Sequence, residues 1–241
     1  MMRPTPRIYL PHTDFQSQTP CPLNEGQAHH LTKVLRLKIG DRVRAFNGTQ
    51  GEFEGELSLD AKTWTFKPLV QLRAQEHMRP CYLYFCLIKP DALHILLEKA
   101  TELGVTDLYP LLSERTVARH ASLAKMQAYV EQAAVQCERL SVPQVFNPTL
   151  LKAIKDVLPS PGTPFFLGDE RRRAPHILKL LQGLGPIDKG FAVLIGPEGG
   201  FTPQEFSMLE SLEEITLCTL SSHILRAETA ALTALAIGQS V

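Results

Sequence analysis

The chain has 241 residues, 44% hydrophobic and 21% charged, and its 25 basic and 25 acidic side chains cancel. That balance excludes a disordered polar chain and supplies apolar residues for one large domain or two small ones. No stretch approaches the ~18 apolar residues of a membrane span. Met1 to Pro6 lack the apolar run of a secretory leader, and the five cysteines form no C-x-x-C framework, so a reduced, cytoplasmic protein is expected.

In chain order, residues 1–73 predict a small β-rich unit. Ile8–Leu10 is a short strand, and Glu25 to Arg36 reads as one helix with Ala28, Leu31, Val34 and Leu35 as its apolar stripe. Ile39-Gly40-Asp41 is a turn. Val43–Phe46 and Phe53–Leu59 alternate in and out around the turn signal Asn47-Gly48, and Trp64–Leu72 adds another strand. Short strands with tight turns point to a small barrel. His29, His30, Lys33, Arg36, Lys38, Arg42 and Arg44 form a local basic run, opposed only by Asp41. Such a run attracts phosphates or is simply a solvated face, and composition alone favours the second.

Gln75–Pro80 reads as a linker, after which strands and helices alternate over residues 74–241. Tyr82–Ile88 predicts a strand. A helix with Asp91 as N-cap and Leu93, Leu96, Leu97 and Ala100 inward follows, closed by Gly104. Leu108–Leu112 is a strand. Ser122 to Leu140 reads as a long helix with Leu123, Met126, Val130, Ala133 and Cys137 inward. Phe165–Leu167, Ala192–Ile195 and Ile215–Leu217 are three further strands. This rhythm predicts an α/β domain with a mainly parallel sheet.

In such sheets ligands bind beyond the carboxyl ends of strands. Ala192–Ile195 runs into Gly196-Pro197-Glu198-Gly199-Gly200-Phe201, and paired glycines permit close backbone approach. Thr202-Pro203-Gln204-Glu205 then fits a helix start with a capping box. Neither G-x-x-x-x-G-K-[ST] nor G-x-G-x-x-G occurs, and Glu198 would repel a phosphate, so a ligand with hydroxyls, an amine or positive charge fits better. A second loop, Leu220-Ser221-Ser222-His223, leads into a predicted helix from Ile224, apolar at Leu225, Leu232 and Ala236, with Arg226, Glu228 and Thr229 in its first turns. An acid is favoured there by the helix dipole and an arginine is not, which hints that Arg226 serves a partner. Glu98 and Glu102 are four apart. They are candidate catalytic carboxylates, or more commonly an exposed face relieved by Lys99. Eight histidines without H-x-x-x-H or cysteine clustering predict no metal site.

Arg7, His30-Leu31-x-x-Val34-Leu35-Arg36-Leu37, Lys89, Lys99-Ala100-Thr101-Glu102-Leu103-Gly104-Val105 and Glu114-Arg115 match one family in order and spacing. So do Ala134-x-Gln136-x-x-Arg139, Val142-Pro143, Gly196 to Phe201 and Ile224 to Ala230. The chain resembles the RsmE family of ribosomal RNA methyltransferases, in the SPOUT (trefoil-knot) superfamily. The resemblance implies a PUA-like RNA-binding β-barrel over 1–73 and a knotted SPOUT methyltransferase domain over 74–241. It also implies S-adenosylmethionine as cofactor, N3 of a uridine in 16S rRNA of the small ribosomal subunit as target, and a homodimer.

Cofactor contacts are then expected from Leu167, Gly168, Ile195, Gly196, Pro197, Glu198, Gly199, Leu217, Leu220, Ser221, His223, Ile224 and Leu225. Glu228 and Arg226 are the expected catalytic pair. Arg7, Lys33, Arg36, Lys89, Arg115 and Arg139 are the expected RNA contacts. Ser221 stands where the family pattern has glycine, and His223 where it has a basic residue. Two rival readings are a catalytically inactive rRNA-binding assembly factor and a hydrolase using Glu228 or Glu98; the latter lacks a G-x-S-x-G motif.

Overall fold

The computed structural model describes residues 5–185 and 187–241; the first residues of the segment read for a leader lie outside them. The chain divides into two compact units. One runs to His77 and includes Ala134–Val142; the other comprises Met78–Ala133 and Pro143–Val241.

In the first unit the elements are β1 (Arg7–Tyr9), β2 (Cys21–Pro22), α1 (Glu25–His29), β3 (Arg42–Phe46), β4 (Glu52–Asp60) and β5 (Thr63–Arg73). They form a five-stranded sheet in the order β1-β3-β4-β5-β2, so β1 and β2 are its two edges. Alternation explains the sheet: Val43, Ala45, Phe53 and Leu57 point to one face and meet Phe15, Phe66 and Leu31 in the core. Asn24 caps α1 by accepting the Gln27 N–H at 2.8 Å, while Gln27 accepts the Asn24 N–H at 3.0 Å.

The single helix expected over Glu25 to Arg36 is corrected here. After His29 the backbone widens into a π-turn, His30–Val34, and the Leu35 N–H bonds the His30 carbonyl at 2.9 Å. The extra residue per turn rotates the apolar face, so Leu31 is fully buried and Val34, expected inward, is 57% exposed.

The second unit is layered. Its elements are β6 (Cys81–Cys86), α2 (Pro90–Glu102), β7 (Asp107–Leu112), α3 (Leu123–Gln136), β8 (Gln144–Val145), β9 (Thr149–Leu150), a 3-10 segment (Leu151–Val157), β10 (Phe165–Gly168), α4 (Ile177–Leu184), β11 (Phe191–Ile195), α5 (Pro203–Glu210), β12 (Ile215–Cys218) and α6 (Ala227–Gln239). The sheet order is β12-β10-β11-β6-β7-β8, with β9 also pairing β7, and every pairing is parallel. The strands are near-continuous apolar runs, as strands covered on both faces must be. Strand order reverses between β6 and β11: β7 and β8 lie to one side, β10 and β12 to the other.

Three helix details differ from expectation. Pro90 occupies the first turn of α2, so Lys89 is its N-cap and Asp91 lies inside it. Gln136 ends α3, short of Leu140, and Glu138 beyond it has φ +59°. The buried stripe of α6 is Ala227, Ala231, Ala234, Leu235 and Gly238, which leaves Ala236 exposed. Small residues on that face let α6 approach the sheet closely: a Cβ on Gly238 would meet the Phe191 ring at 2.2 Å. Among the described residues no helix is long and apolar enough to cross a membrane.

Candidate active site

Beyond the carboxyl ends of β10, β11 and β12 lies a cavity of about 510 Å³. Three loops wall it. Gly168 to Arg172 follow β10, Ile195 to Phe201 follow β11, and Leu220 to Ala227 lead into α6. Its volume falls in the range of small-ligand sites, roughly 300–1,000 Å³.

The glycine loop is fixed at both ends as the sequence predicts. Thr202 caps α5, accepting the Glu205 N–H at 3.2 Å, while Glu205 accepts the Thr202 N–H at 3.0 Å. The other oxygen of Glu205 accepts the Glu114 N–H at 2.7 Å, and Arg115 donates to the Gly199 carbonyl at 3.0 Å. The segment after β7 thus braces the loop from the side. Close packing explains the glycines. A Cβ on Gly196 would meet the Phe201 ring at 2.9 Å, and one on Gly200, at φ +65°, would meet Glu170 Oε1 at 2.6 Å.

Of the expected cofactor residues, Gly168, Ile195, Gly196, Pro197, Glu198, Leu220, Ser221, His223, Ile224 and Leu225 lie on the cavity wall, and so does Arg226. Leu167, Gly199, Leu217 and Glu228 lie off it. Leu167 is wholly buried within its strand, and Gly199 faces Arg115. Arg226 is the N-cap of α6 without a side-chain cap bond, and Glu228 is the acid of its first turn.

Sequence reading missed the wall after β10. Asp169 is buried, with one oxygen accepting the Arg171 N–H at 3.0 Å and Nε at 2.8 Å. Arg171 also lies over the Phe206 ring, 3.6 Å from its centroid. That ties up Asp169 as a structural acid and leaves Glu170 and Glu198 as the acids of the wall. The available signal was position: Asp169-Glu170-Arg171-Arg172 begins where a parallel strand ends.

The expected RNA contacts separate into two groups. Lys33, Arg36, Lys89 and Arg115 are exposed, and Arg139 is half-buried. Arg7 is a correction: its side chain is 6% exposed and pairs with Glu52, itself 3% exposed. It donates to the Ala134 carbonyl at 2.9 Å and the Arg139 carbonyl at 2.7 Å, and lies over the Phe46 ring at 3.9 Å. With four of its five N–H donors used internally and its side chain buried, Arg7 is built into the unit's interior rather than presented at its surface. Glu98 and Glu102 both bind Lys99, at 2.7 and 2.8 Å, as a surface face does. Burial pushes the thiols of Cys86 and Cys218 up to about 12, so neither supplies a thiolate nucleophile. Among the described residues no cluster of His, Cys, Asp and Glu is arranged to hold a metal.

A parallel sheet with a cavity beyond the carboxyl ends of β10, β11 and β12, in a chain that also holds a separate small β unit, defines the class. Residues 75–239 match the RNA methyltransferase domain family, and residues 23–69 match the RNA methyltransferase PUA domain family. Ribosomal RNA small subunit methyltransferase E of Rickettsia conorii is 32% identical over 220 residues, covering 88% of this chain and 86% of that protein. The protein of the same name from Synechocystis is 31% identical over 217 residues, covering 89% and 71%. The Neisseria gonorrhoeae protein of that name, solved bound to S-adenosyl methionine, superposes with a TM-score of 0.83 at 28% identity, covering 98% of this chain and 97% of that one. The chain belongs to the ribosomal RNA small subunit methyltransferase E family. Its fold is accordingly the SPOUT methyltransferase fold with a PUA-like N-terminal unit.

Proposed function

We propose that the chain methylates N3 of a uridine in 16S rRNA, using S-adenosylmethionine held in the cavity beyond β10, β11 and β12. That cavity carries the reading, because it combines a small-ligand volume, glycine-loop backbone and acidic wall residues beyond the carboxyl ends of parallel strands. S-adenosylmethionine supplies an activated methyl group on a cationic sulfonium. Glu198 and Glu170 put carboxylates on a wall that also carries Arg171, Arg172 and Arg226, and these carboxylates are the groups suited to a cationic sulfonium. Ile195, Leu220, Ile224 and Leu225 offer apolar surface for an adenine ring.

Uridine N3 carries a proton and is a poor nucleophile until it leaves, so the chain must remove that proton or stabilise the uracil anion. Glu228 takes or relays it, and Arg226 holds a phosphate or a uracil oxygen. Both sit at the start of α6, beside the cavity. Positioning of the two reactants supplies most of the remaining acceleration. We assign RNA binding to a PUA-like domain over 1–73 and methyl transfer to a domain over 74–241. The protein acts as a cytoplasmic homodimer on the small ribosomal subunit and needs no metal.

Calorimetry with S-adenosylmethionine, followed by mass mapping of methyl groups in small-subunit rRNA, tests the reading. One new N3-methyluridine is expected. Donor binding without methylation of any rRNA would leave only the inactive assembly factor. Lys33 and Arg36 are exposed on the first unit. Replacing either with glutamine is expected to weaken rRNA binding and reduce the salt slope of the binding constant by about 1. An unchanged slope would remove that residue from the RNA interface.

A further inference from the structure

The loop from Leu220 to Arg226 walls the cavity yet has no regular structure of its own. What holds it is the neighbouring segment, Asp169 to His176. Thr219 starts the attachment: its N–H donates to the Pro175 carbonyl at 2.9 Å, its hydroxyl donates to the Ala174 carbonyl at 2.8 Å, and its carbonyl accepts the Ile177 N–H at 3.0 Å. These bonds carry the parallel pairing of β10 and β12 past the strand ends.

Two side chains continue it. His176 caps α4, its Nδ1 accepting the Leu178 N–H at 3.3 Å, while its Nε2 lies 3.2 Å from the Leu220 carbonyl. A carbonyl only accepts, so Nε2 carries the proton, and one neutral tautomer satisfies both bonds. Arg172 donates to the Ser222 carbonyl at 2.6 Å. Arg172 adopts φ +57°, a left-handed conformation costing a non-glycine residue about 1 kcal/mol or more. Within the loop, the Ser221 hydroxyl accepts the His223 N–H at 3.1 Å.

In a trans peptide the C=O and the following N–H point in opposite directions. Holding the Leu220 carbonyl against His176, which is off the cavity wall, turns the Ser221 N–H the other way. The carbonyls of Leu220 and Ser222 and the N–H of His223 all have protein partners. The Ser221 N–H has none among the described residues.

We propose that Arg172 and His176 are positioning residues for the methyl donor: they hold two loop carbonyls so that the Ser221 N–H is presented to the cavity as a fixed donor for the adenine ring. Strain at Arg172 is sustained because its guanidinium anchors the loop. The inference rests on the cavity being the donor site.

Two variants separate this role from plain structural support. Arg172→Gly suits the positive φ and removes the anchor together with a side chain of the cavity wall, whereas His176 lies off that wall and tests anchoring alone. His176→Asn retains a side-chain oxygen that can cap α4 but loses the reach to Leu220. Calorimetry with S-adenosylmethionine on the full chain is expected to show Kd raised about tenfold in each, since a lost anchoring hydrogen bond is of that order. Thermal midpoints and KM for RNA stay within error of the unchanged protein. Variants that bind the donor as tightly as the unchanged protein overturn the inference and leave the proposed function standing. An unchanged protein that fails to bind the donor overturns both.

Discussion

Arg7→Met is expected to lower the stability of the N-terminal unit by about 3–5 kcal/mol, the usual cost of leaving one member of a buried ion pair without its partner. Glu52 is 3% exposed, and Arg7 is its ionic partner in the structure. The same guanidinium bonds the carbonyls of Ala134, Val135 and Arg139, so those acceptors lose their donor together. Set against the 5–15 kcal/mol of a typical domain, the loss moves the unit close to unfolding. Trp64 is the only tryptophan in the chain and packs on the core of this unit, so its fluorescence in a urea titration reads the unit selectively. Arg7→Met combined with Glu52→Gln removes both charges and should recover part of the loss. A Trp64 midpoint unmoved by Arg7→Met would show that the pair contributes nothing.

Glu228→Gln is expected to lower kcat for rRNA methylation by about 10²–10⁴, the range associated with general base catalysis, while donor and RNA affinities change little. Its position supports the role: it is the acid in the first turn of α6, next to the wall residues Arg226 and Ala227. Glutamine keeps the shape and removes the proton acceptor. Hydroxide can replace the missing base, so the variant's turnover should climb with pH by up to about tenfold per unit while the unchanged enzyme's profile stays flatter. Near-normal turnover in Glu228→Gln would end the assignment. Loss in Glu198→Gln instead, with the donor still bound, would move the role to the glycine loop.

What the sequence disclosed and what it concealed divide along the range of the interactions. Strands β6, β7, β10, β11 and β12 were legible because each is a short apolar run between turn residues, whereas the two-residue strands β8 and β9 are too short to show a pattern. The start of α5 was legible because Thr202, Pro203 and Glu205 interact only with each other and the adjoining backbone. Arg7 was misread because its partners are 45 to 132 residues away, and no local pattern marks an arginine that will be buried. The π-turn after His29 was hidden for a related reason: periodicity assumes one pitch, and tertiary burial of Leu31 imposed another. In α6 the core face is mostly alanine and glycine, with Leu235 its one large residue, so periodicity had little to register on and the stripe was set on Leu232 and Ala236 instead. The wall from Asp169 to Arg172 was overlooked because its residue types are those of an ordinary surface loop. Only its place after β10 gives it meaning.

The inclusion of Ala134–Val142 in the first unit bears on how the protein is made. Ribosomes deliver the chain from its N-terminus at roughly 5–20 residues per second, so residues 134–139 follow residue 77 by several seconds. Throughout that interval Arg7 lacks three of its carbonyl partners, and Phe46 lacks Ala134 and Leu140, which cover it in the finished unit. A fragment ending at residue 77 therefore contains every strand of the sheet and Glu52, but not the carbonyls that accept the remaining hydrogen bonds of its buried cation. Completion of the N-terminal unit thus waits for a distant stretch of the same polypeptide, which adds its last buried contacts after every strand has been made.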